Sequence, residues 1–225
     1  MRNVWLLGAV LMCACQQNQE APRTAKVSPT QSSPARVADD RPVIVCFGDS
    51  LTAGAGLDPA QSYPELLQKE LDSRGERYHV VNAGVSGDTT QDGLARLPMV
   101  VAEKPAIVVL EFGANDGLRG QPVASAKANL QQIIEALQKG GAKVVLAGMT
   151  LPPNYGADYI RKFEAMYKDL AAQYRLTLIP FFLEGVGGAP ALMQQDGLHP
   201  NAEGTRKVAA TVLKYVEPLV KRPTG

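Results

Sequence analysis

Only two histidines occur in the chain, His79 and His199, so chemistry that needs a general base near neutral pH has two candidates. His79 falls inside an apolar run, 79–82, and reads as a structural or surface residue. His199 belongs to the segment Asp196-Gly197-Leu198-His199-Pro200. An aspartate three residues before a histidine on a turn can accept from the ring Nδ1–H, leaving Nε2 to face a nucleophile. The competing account of this segment is a helix-capping turn with an incidental histidine. A candidate nucleophile lies far away in sequence. Ser50 sits in Gly48-Asp49-Ser50-Leu51-Thr52, directly after the apolar run 43–47. A serine at the carboxyl end of a first buried strand stands where open α/β sheets place their chemistry, although serines also serve as helix N-caps.

Two further loops have suitable donors. Asn82-Ala83-Gly84-Val85-Ser86-Gly87-Asp88-Thr89-Thr90 follows the second apolar run, and its glycines let the backbone approach a ligand. A tight turn plus a cap from Asp88 or Thr89 explains it equally well. Gly113-Ala114-Asn115-Asp116-Gly117 follows the third run, and Asn115 offers an amide donor that stays neutral at any working pH. A turn asparagine is the bland account.

These residues need a scaffold that brings four distant loops together. The apolar runs 43–47, 79–82, 107–112, 144–149 and 176–179 are short, rich in Val, Ile and Leu, and not alternating. That is the pattern of strands covered on both faces. Helical patterns at 63–73, 90–103, 122–139, 159–174 and 202–216 lie between and after them, and Pro218 stops the last. Strand–helix alternation predicts an α/β fold with a parallel sheet and right-handed connections, its ligands bound beyond the carboxyl ends of the strands.

Composition narrows the class. The chain is 225 residues long, 45% hydrophobic and 20% charged, with a net charge of +1. It is an ordinary globular composition, without the charge of a nucleic-acid binder. Cys13, Cys15 and Cys46 form neither a disulfide framework nor a metal spacing, and Cys46, inside the first run, reads as a buried inert thiol. Gly48-x-Ser50-x-Thr52 lacks the second glycine of a Gly-x-Ser-x-Gly elbow. No Walker loop or Gly-x-Gly-x-x-Gly closes a strand.

The amino terminus reads differently. Arg2 precedes an apolar run, 4–15, shorter than the ~20 residues that span a bilayer and suited to a signal-peptide core. It ends Met12-Cys13-Ala14-Cys15-Gln16 and resembles a bacterial lipoprotein signal, with Cys15 after Ala14 as the lipidated cysteine; an ordinary cleaved signal peptide or a short anchor is the competing account. Met12 stands where such signals usually have Leu, and Gln16 favours sorting to the outer membrane. Residues 16–40, rich in Gln, Ser, Thr, Pro and Ala, bury too little apolar surface to fold and read as a tether. The expected organisation is a signal segment (1–15), a disordered linker (16–40) and one domain (41–225).

Taken together, the blocks resemble the SGNH hydrolase family, the Gly-Asp-Ser-Leu esterases: Ser50, Gly87, Asn115 and Asp196-x-x-His199, in that order, each after its expected strand. They are close to the bacterial periplasmic acyl-CoA thioesterase, lysophospholipase and arylesterase branch. Ser86-Gly87-Asp88-Thr89, Gly93-Leu94-Ala95-Arg96-Leu97-Pro98, Asn115-Asp116-Gly117-Leu118-Arg119-Gly120, Leu151-Pro152 with Asn154-Tyr155-Gly156, and Pro180-Phe181-Phe182 match that branch. The resemblance implies a three-layer, flavodoxin-like sandwich with a mostly parallel, five-stranded sheet. It implies a catalytic Ser50, His199 and Asp196, an oxyanion hole of Ser50 N–H, Gly87 N–H and the Asn115 amide, and no metal or cofactor. The implied partner is a small acyl ester, thioester or lysolipid rather than nucleic acid; the lipoprotein-like leader, in which the chain differs from soluble periplasmic relatives, implies a periplasm-facing enzyme held at the cell envelope by a lipid anchor. Leu151, Tyr155, Phe181 and Phe182, with Leu192 and Met193, are candidates to line an acyl groove, and 151–156 is the best candidate lid. Gly185-Val186-Gly187-Gly188 departs from the branch and puts acyl preference in doubt. The alternatives are a carbohydrate or peptidoglycan O-acetylesterase, which shares the same blocks, and a non-catalytic envelope binding module.

Overall fold

The computed structural model describes residues 40–220. The signal segment with Cys15, and all of the expected linker except Asp40, lie outside the described residues. The five apolar runs form β1 (Val43–Gly48), β2 (His79–Gly84), β3 (Ile107–Glu111), β4 (Lys143–Ala147) and β5 (Thr177–Ile179). All pair in parallel in the order β2-β1-β3-β4-β5. Parallel neighbours need long crossovers, and the helices between them supply these: α2 (Tyr63–Ser73), α3 (Thr90–Ala102), α5 (Val123–Lys139) and α6 (Ala157–Tyr174), with α7 (Ala202–Val216) closing the domain. α2 packs on α7, whereas α3, α5 and α6 pack side by side. The expected α/β sandwich, flavodoxin-like in strand order, is therefore present.

Burial corrects one expectation. Every residue of β3 is buried, but in β2 only Val80 is, and in β5 only Ile179. Both are edge strands, which have a neighbour on one side only and less helix above and below them. The full covering read from their apolar runs holds for the inner strands alone.

Two short helices escaped the sequence pattern: α1 (Ser50–Ala53) and α4 (Ala114–Leu118). A stretch of four or five residues is too short for a 3.6-residue period to show. α1 begins at Ser50 and α4 contains Asn115, so the candidate site residues after β1 and β3 lie on single helical turns. α3 starts with a capping box, in which the Thr89 side chain accepts from Asp92 N–H and Asp92 accepts from Thr89 N–H.

The core gathers around the sheet centre. The Phe47 and Phe112 rings meet edge to face, centroids 4.8 Å apart. Cys46 is buried and free, and desolvation pushes its thiol up to about 12, as an inert core residue requires. Phe182 corrects the expected groove lining: it is 0% exposed and packs on the Tyr63 ring at 5.4 Å. The chain leaves β5 with Phe182 turned into the core, a direction the sequence does not encode. Phe182→Ala is accordingly expected to cost about 3–5 kcal/mol and to lower Tm by roughly 6–20 °C, without changing acyl-length preference. Thermal unfolding beside an ester-length series checks both parts.

Candidate active site

Ser50 is the first residue of α1, at the carboxyl end of β1, an inner strand between β2 and β3. Asp49 caps this turn, its Oδ1 accepting from Leu51 N–H at 3.0 Å. His199 reaches Ser50 from the loop between β5 and α7, with Nε2 2.9 Å from Ser50 Oγ. Its Nδ1 lies 2.6 Å from Asp196 Oδ2. A carboxylate only accepts, so Nδ1 holds the ring proton and Nε2 is left to accept from the serine hydroxyl. The other oxygen of Asp196 accepts from Leu198 N–H at 2.9 Å and from His199 N–H at 3.0 Å. One carboxylate thus folds its own turn and orients the ring. These bonds, that to the His199 ring first, hold the Asp196 carboxyl down at about 2 although its side chain is 44% exposed.

The histidine loop is tied down at both ends. Gln194 N–H donates to His199 O at 2.7 Å, and Gln194 Nε2 donates to Ala55 O at 2.8 Å, just beyond α1. Asn201 caps α7 through Glu203 N–H and Gly204 N–H and donates to Ala191 O.

After β2, the chain turns at Val85-Ser86-Gly87-Asp88, with Asp88 N–H donating to Val85 O at 3.2 Å. Gly87 has φ +88°, a left-handed value that favours glycine at this point of a turn. Gly87 O accepts from Arg119 at 2.9 Å. Neither Gly87 N–H nor Ser50 N–H donates to another described residue. Asn115 lies across from them. Its Nδ2 donates to Asp49 Oδ2 at 3.1 Å and to Asp88 O at 2.9 Å. The next residue, Asp116, accepts from Thr90 N–H and Thr90 Oγ1 at 2.9 and 2.6 Å, anchoring α4 to the start of α3.

Arg96 was part of a motif without an assigned role. From α3 it donates to Asp88 Oδ2 at 2.5 Å, Ala83 O at 2.7 Å and Gly48 O at 2.8 Å. Its guanidinium stands 4.7 Å from the centre of the Phe47 ring. One planar fork therefore clamps the ends of β1 and β2 and the loop of Gly87, a task for which lysine has too few fixed donors.

A cavity of about 590 Å³ opens beside Ser50, Gly87, Asn115 and His199. Beyond that polar end its wall is mostly apolar, formed by Leu118, Met149, Leu151, Phe181, Leu183 and Met193. Leu151, Phe181 and Met193 of the expected groove residues line it; Tyr155 and Leu192 do not. The Tyr155 hydroxyl instead donates to Leu118 O at 2.9 Å and so braces a lining residue from behind. The glycine-rich loop borders the cavity at Gly187 and Gly188, and Pro152 and Pro153 of segment 151–156 border it too.

Residues 46–207 match the model of the GDSL-like Lipase/Acylhydrolase family. The chain belongs to that family. It is 48% identical to Esterase TesA of Pseudomonas aeruginosa over 178 residues, 79% of this chain and 89% of that protein. It is 39% identical over 178 residues to Thioesterase 1/protease 1/lysophospholipase L1 of Escherichia coli K12, 79% of this chain and 84% of that protein. The crystal structure of TesA superposes with a TM-score of 0.77 at 47% identity, covering 79% of this chain and 99% of that one. The protein is a serine hydrolase of carboxylic esters or thioesters.

The bonds that Asp196 makes to its own turn exist at every pH above about 4 and are lost only as the pH falls through about 2. Protonation of Asp196 therefore does not set an acid limb of activity in the range pH 4–7. Asp196→Asn removes the acceptor that fixes the ring tautomer. Its kcat is expected to fall about 10⁴-fold, and a pH–rate profile alongside shows whether the wild-type acid limb stays clear of Asp196.

Proposed function

We propose that the protein hydrolyses acyl esters and thioesters of lipid origin through an acyl-serine intermediate, with Ser50, His199 and Asp196 as its triad. The observation that carries this reading is the continuous contact Asp196–His199–Ser50 at the mouth of an apolar cavity. Ser50 Oγ attacks the carbonyl carbon while His199 Nε2 takes its proton. Asp196 stabilises the imidazolium so formed. The tetrahedral oxyanion is bound by the N–H groups of Ser50 and Gly87, which have no competing partner among the described residues, and by the Asn115 amide. His199 then gives its proton to the leaving alcohol or thiol as the C–O or C–S bond breaks. Water, deprotonated by the same imidazole, cleaves the acyl-serine and restores the hydroxyl.

The apolar wall supports a substrate with a hydrocarbon tail, and the names of the relatives, esterase, thioesterase and lysophospholipase, fit that class. An O-acetylesterase would have little use for such a wall. For location, we propose that the Cys15 signal and the 16–40 tether hold the domain at the cell envelope, on the periplasmic face of the outer membrane. There lysolipids and other lipid-derived esters are at hand, whereas cytoplasmic acyl-CoA is not.

Hydrolysis of p-nitrophenyl esters from acetyl to palmitoyl tests the proposal. Wild type is expected to prefer medium or long chains, and Ser50→Ala to abolish turnover at every length. Asn115→Ala is expected to lower kcat about 10²–10³-fold with little change in KM. Activity confined to the acetyl ester would replace the lipid reading with the O-acetylesterase. A wild type that neither turns over any ester nor reacts with a fluorophosphonate would remove the triad assignment.

A further inference from the structure

An acidic residue ends the otherwise apolar strand β3. Glu111 is 0% exposed, and no cation pairs with it among the described residues. Its Oε2 accepts from Asp49 N–H at 3.2 Å and from Thr52 Oγ1 at 2.9 Å. Its Oε1 has no hydrogen-bond partner among the described residues. The chain makes room for this carboxyl: a Cβ at Gly48 would collide with Glu111 Oε2 and with Thr52 Oγ1. Glycine at the first position of the Gly48-Asp49-Ser50-Leu51 motif is thus explained by the buried acid behind it.

A buried unpaired carboxyl is costly, and an apolar residue of similar volume would avoid that cost. The contacts show what would be lost. Asp49 is itself 1% exposed and is gripped on two sides. Glu111 holds its backbone N–H, while its own carboxylate holds Leu51 N–H and Asn115 Nδ2. The path Glu111, Asp49, Asn115 therefore runs from the sheet into the rim of the cavity without a gap.

We propose that Glu111 is a positioning residue for the oxyanion hole, fixing the Asp49 turn and, through Asp49 Oδ2, the orientation of the Asn115 amide. It does this as a neutral acid. Burial first, then the Asp49 charge, pushes its carboxyl well above the usual range, while burial raises Asp49 to about 6. Both shifts run toward the neutral form, more strongly for Glu111, which favours the proton on Glu111 and leaves Asp49 as the acceptor that Asn115 needs. Glutamine at 111 has the same shape, the same carbonyl acceptor and no charge, and so reproduces the working form. Leucine leaves Asp49 N–H and the Thr52 hydroxyl without their acceptor.

The inference rests on the proposed role of Asn115, and a double-mutant cycle separates the two. Folding and active serine content are monitored by thermal unfolding and fluorophosphonate titration. Glu111→Leu is expected to lower kcat roughly 10- to 100-fold with KM nearly unchanged, the cost of a small misplacement near the reacting atoms. Glu111→Gln is expected to retain most of the wild-type kcat. In an Asn115→Ala background, Glu111→Leu should cost no more than about twofold, because the donor it positions is gone. Equal losses in both backgrounds would mean a general structural role and overturn the proposal, as would an unaffected Glu111→Leu or a Glu111→Gln as slow as Glu111→Leu. An Asn115→Ala variant with full kcat would instead remove the oxyanion reading, and this proposal with it. If Glu111→Leu does not fold, Thr52→Val takes its place. It deletes one of the two donors on Glu111 at constant size, and the same cycle gives subadditive losses if the proposal holds and additive losses if it fails.

Discussion

Adjacent strands of a sheet lie about 4.8 Å apart, and that spacing limits where the loops after β1, β2 and β3 can place their first residues. With β1 between the other two, Ser50, Gly87 and Asn115 emerge side by side at one sheet end. The order reverses there: the chain moves from β1 to β2 on one side, then crosses back to β3 on the other. The gap between the diverging crossovers is the place where such sheets bind ligands. Everything else at the site completes this arrangement. The histidine comes from outside the three strands, so its loop needs separate fastening, and Gln194 supplies it by bonding to Ala55 O beside the serine turn.

Converging strand ends also expose many backbone groups that have no ladder partner, and buried polar groups need partners. The structure meets this demand with a few side chains that each serve several loops. Arg96 accounts for the carbonyls of Gly48 and Ala83 and for the carboxylate of Asp88. Asn115 links the Asp49 turn to the Asp88 loop. Both amide hydrogens of Asn115 are therefore committed when the site is empty. A developing oxyanion must draw one of them away, and a full negative charge in a partly dry cavity is a stronger acceptor than a peptide carbonyl. In the proposed mechanism the amide thus improves its bonding as the reaction proceeds, while the two backbone N–H groups wait with no partner among the described residues. A donor whose best partner exists only in the transition state contributes to turnover rather than to binding.

How much of this was legible in the sequence depends on the length scale of the signal. Apolar runs of four or more residues and helices of three or more turns declared themselves by pattern, and α2 and α7 run over the residues expected. The residues proposed as the triad stood out because the chain offers so few histidines and because Asp196 and His199 share one turn. Other parts depend on information that only the folded chain holds. The four residues of α1 have no periodicity. Which of Phe181 and Phe182 faces the cavity depends on how the chain exits β5. Tyr155 lies in a block shared with the family branch, yet its hydroxyl braces Leu118 and its ring stays off the cavity wall. Glu111 left a readable trace, an acid closing a run of Ile, Val, Val and Leu, but its meaning needed Asp49 and Thr52 beside it. Arg96 was visible as one letter of a motif, whereas its three acceptors come from β1, β2 and the loop after β2.

The cavity raises a different question, because its polar and apolar parts impose opposite demands. The ester end needs donors at fixed positions, and these are backed by the sheet. A hydrocarbon tail gains by area of contact, about 25 cal/mol per Å² of apolar surface removed from water, and needs no fixed geometry. The wall is built accordingly. The donors belong to turns bound directly to strand ends, whereas Phe181, Leu183, Gly187, Gly188 and Met193 belong to the long connection from β5 to α7. At Gly188 an added Cβ would meet nothing within 4 Å, and at Gly187 it would press on the Phe181 ring at 3.1 Å. Glycine at 187 therefore leaves Phe181 free to stay where it lines the cavity. Chain-length preference can then change through this connection while the proposed oxyanion donors stay where the strands put them, since of Leu118, Met149, Leu151, Phe181, Leu183 and Met193 in the wall only Leu118 shares a helix with one of those donors, Asn115 on α4.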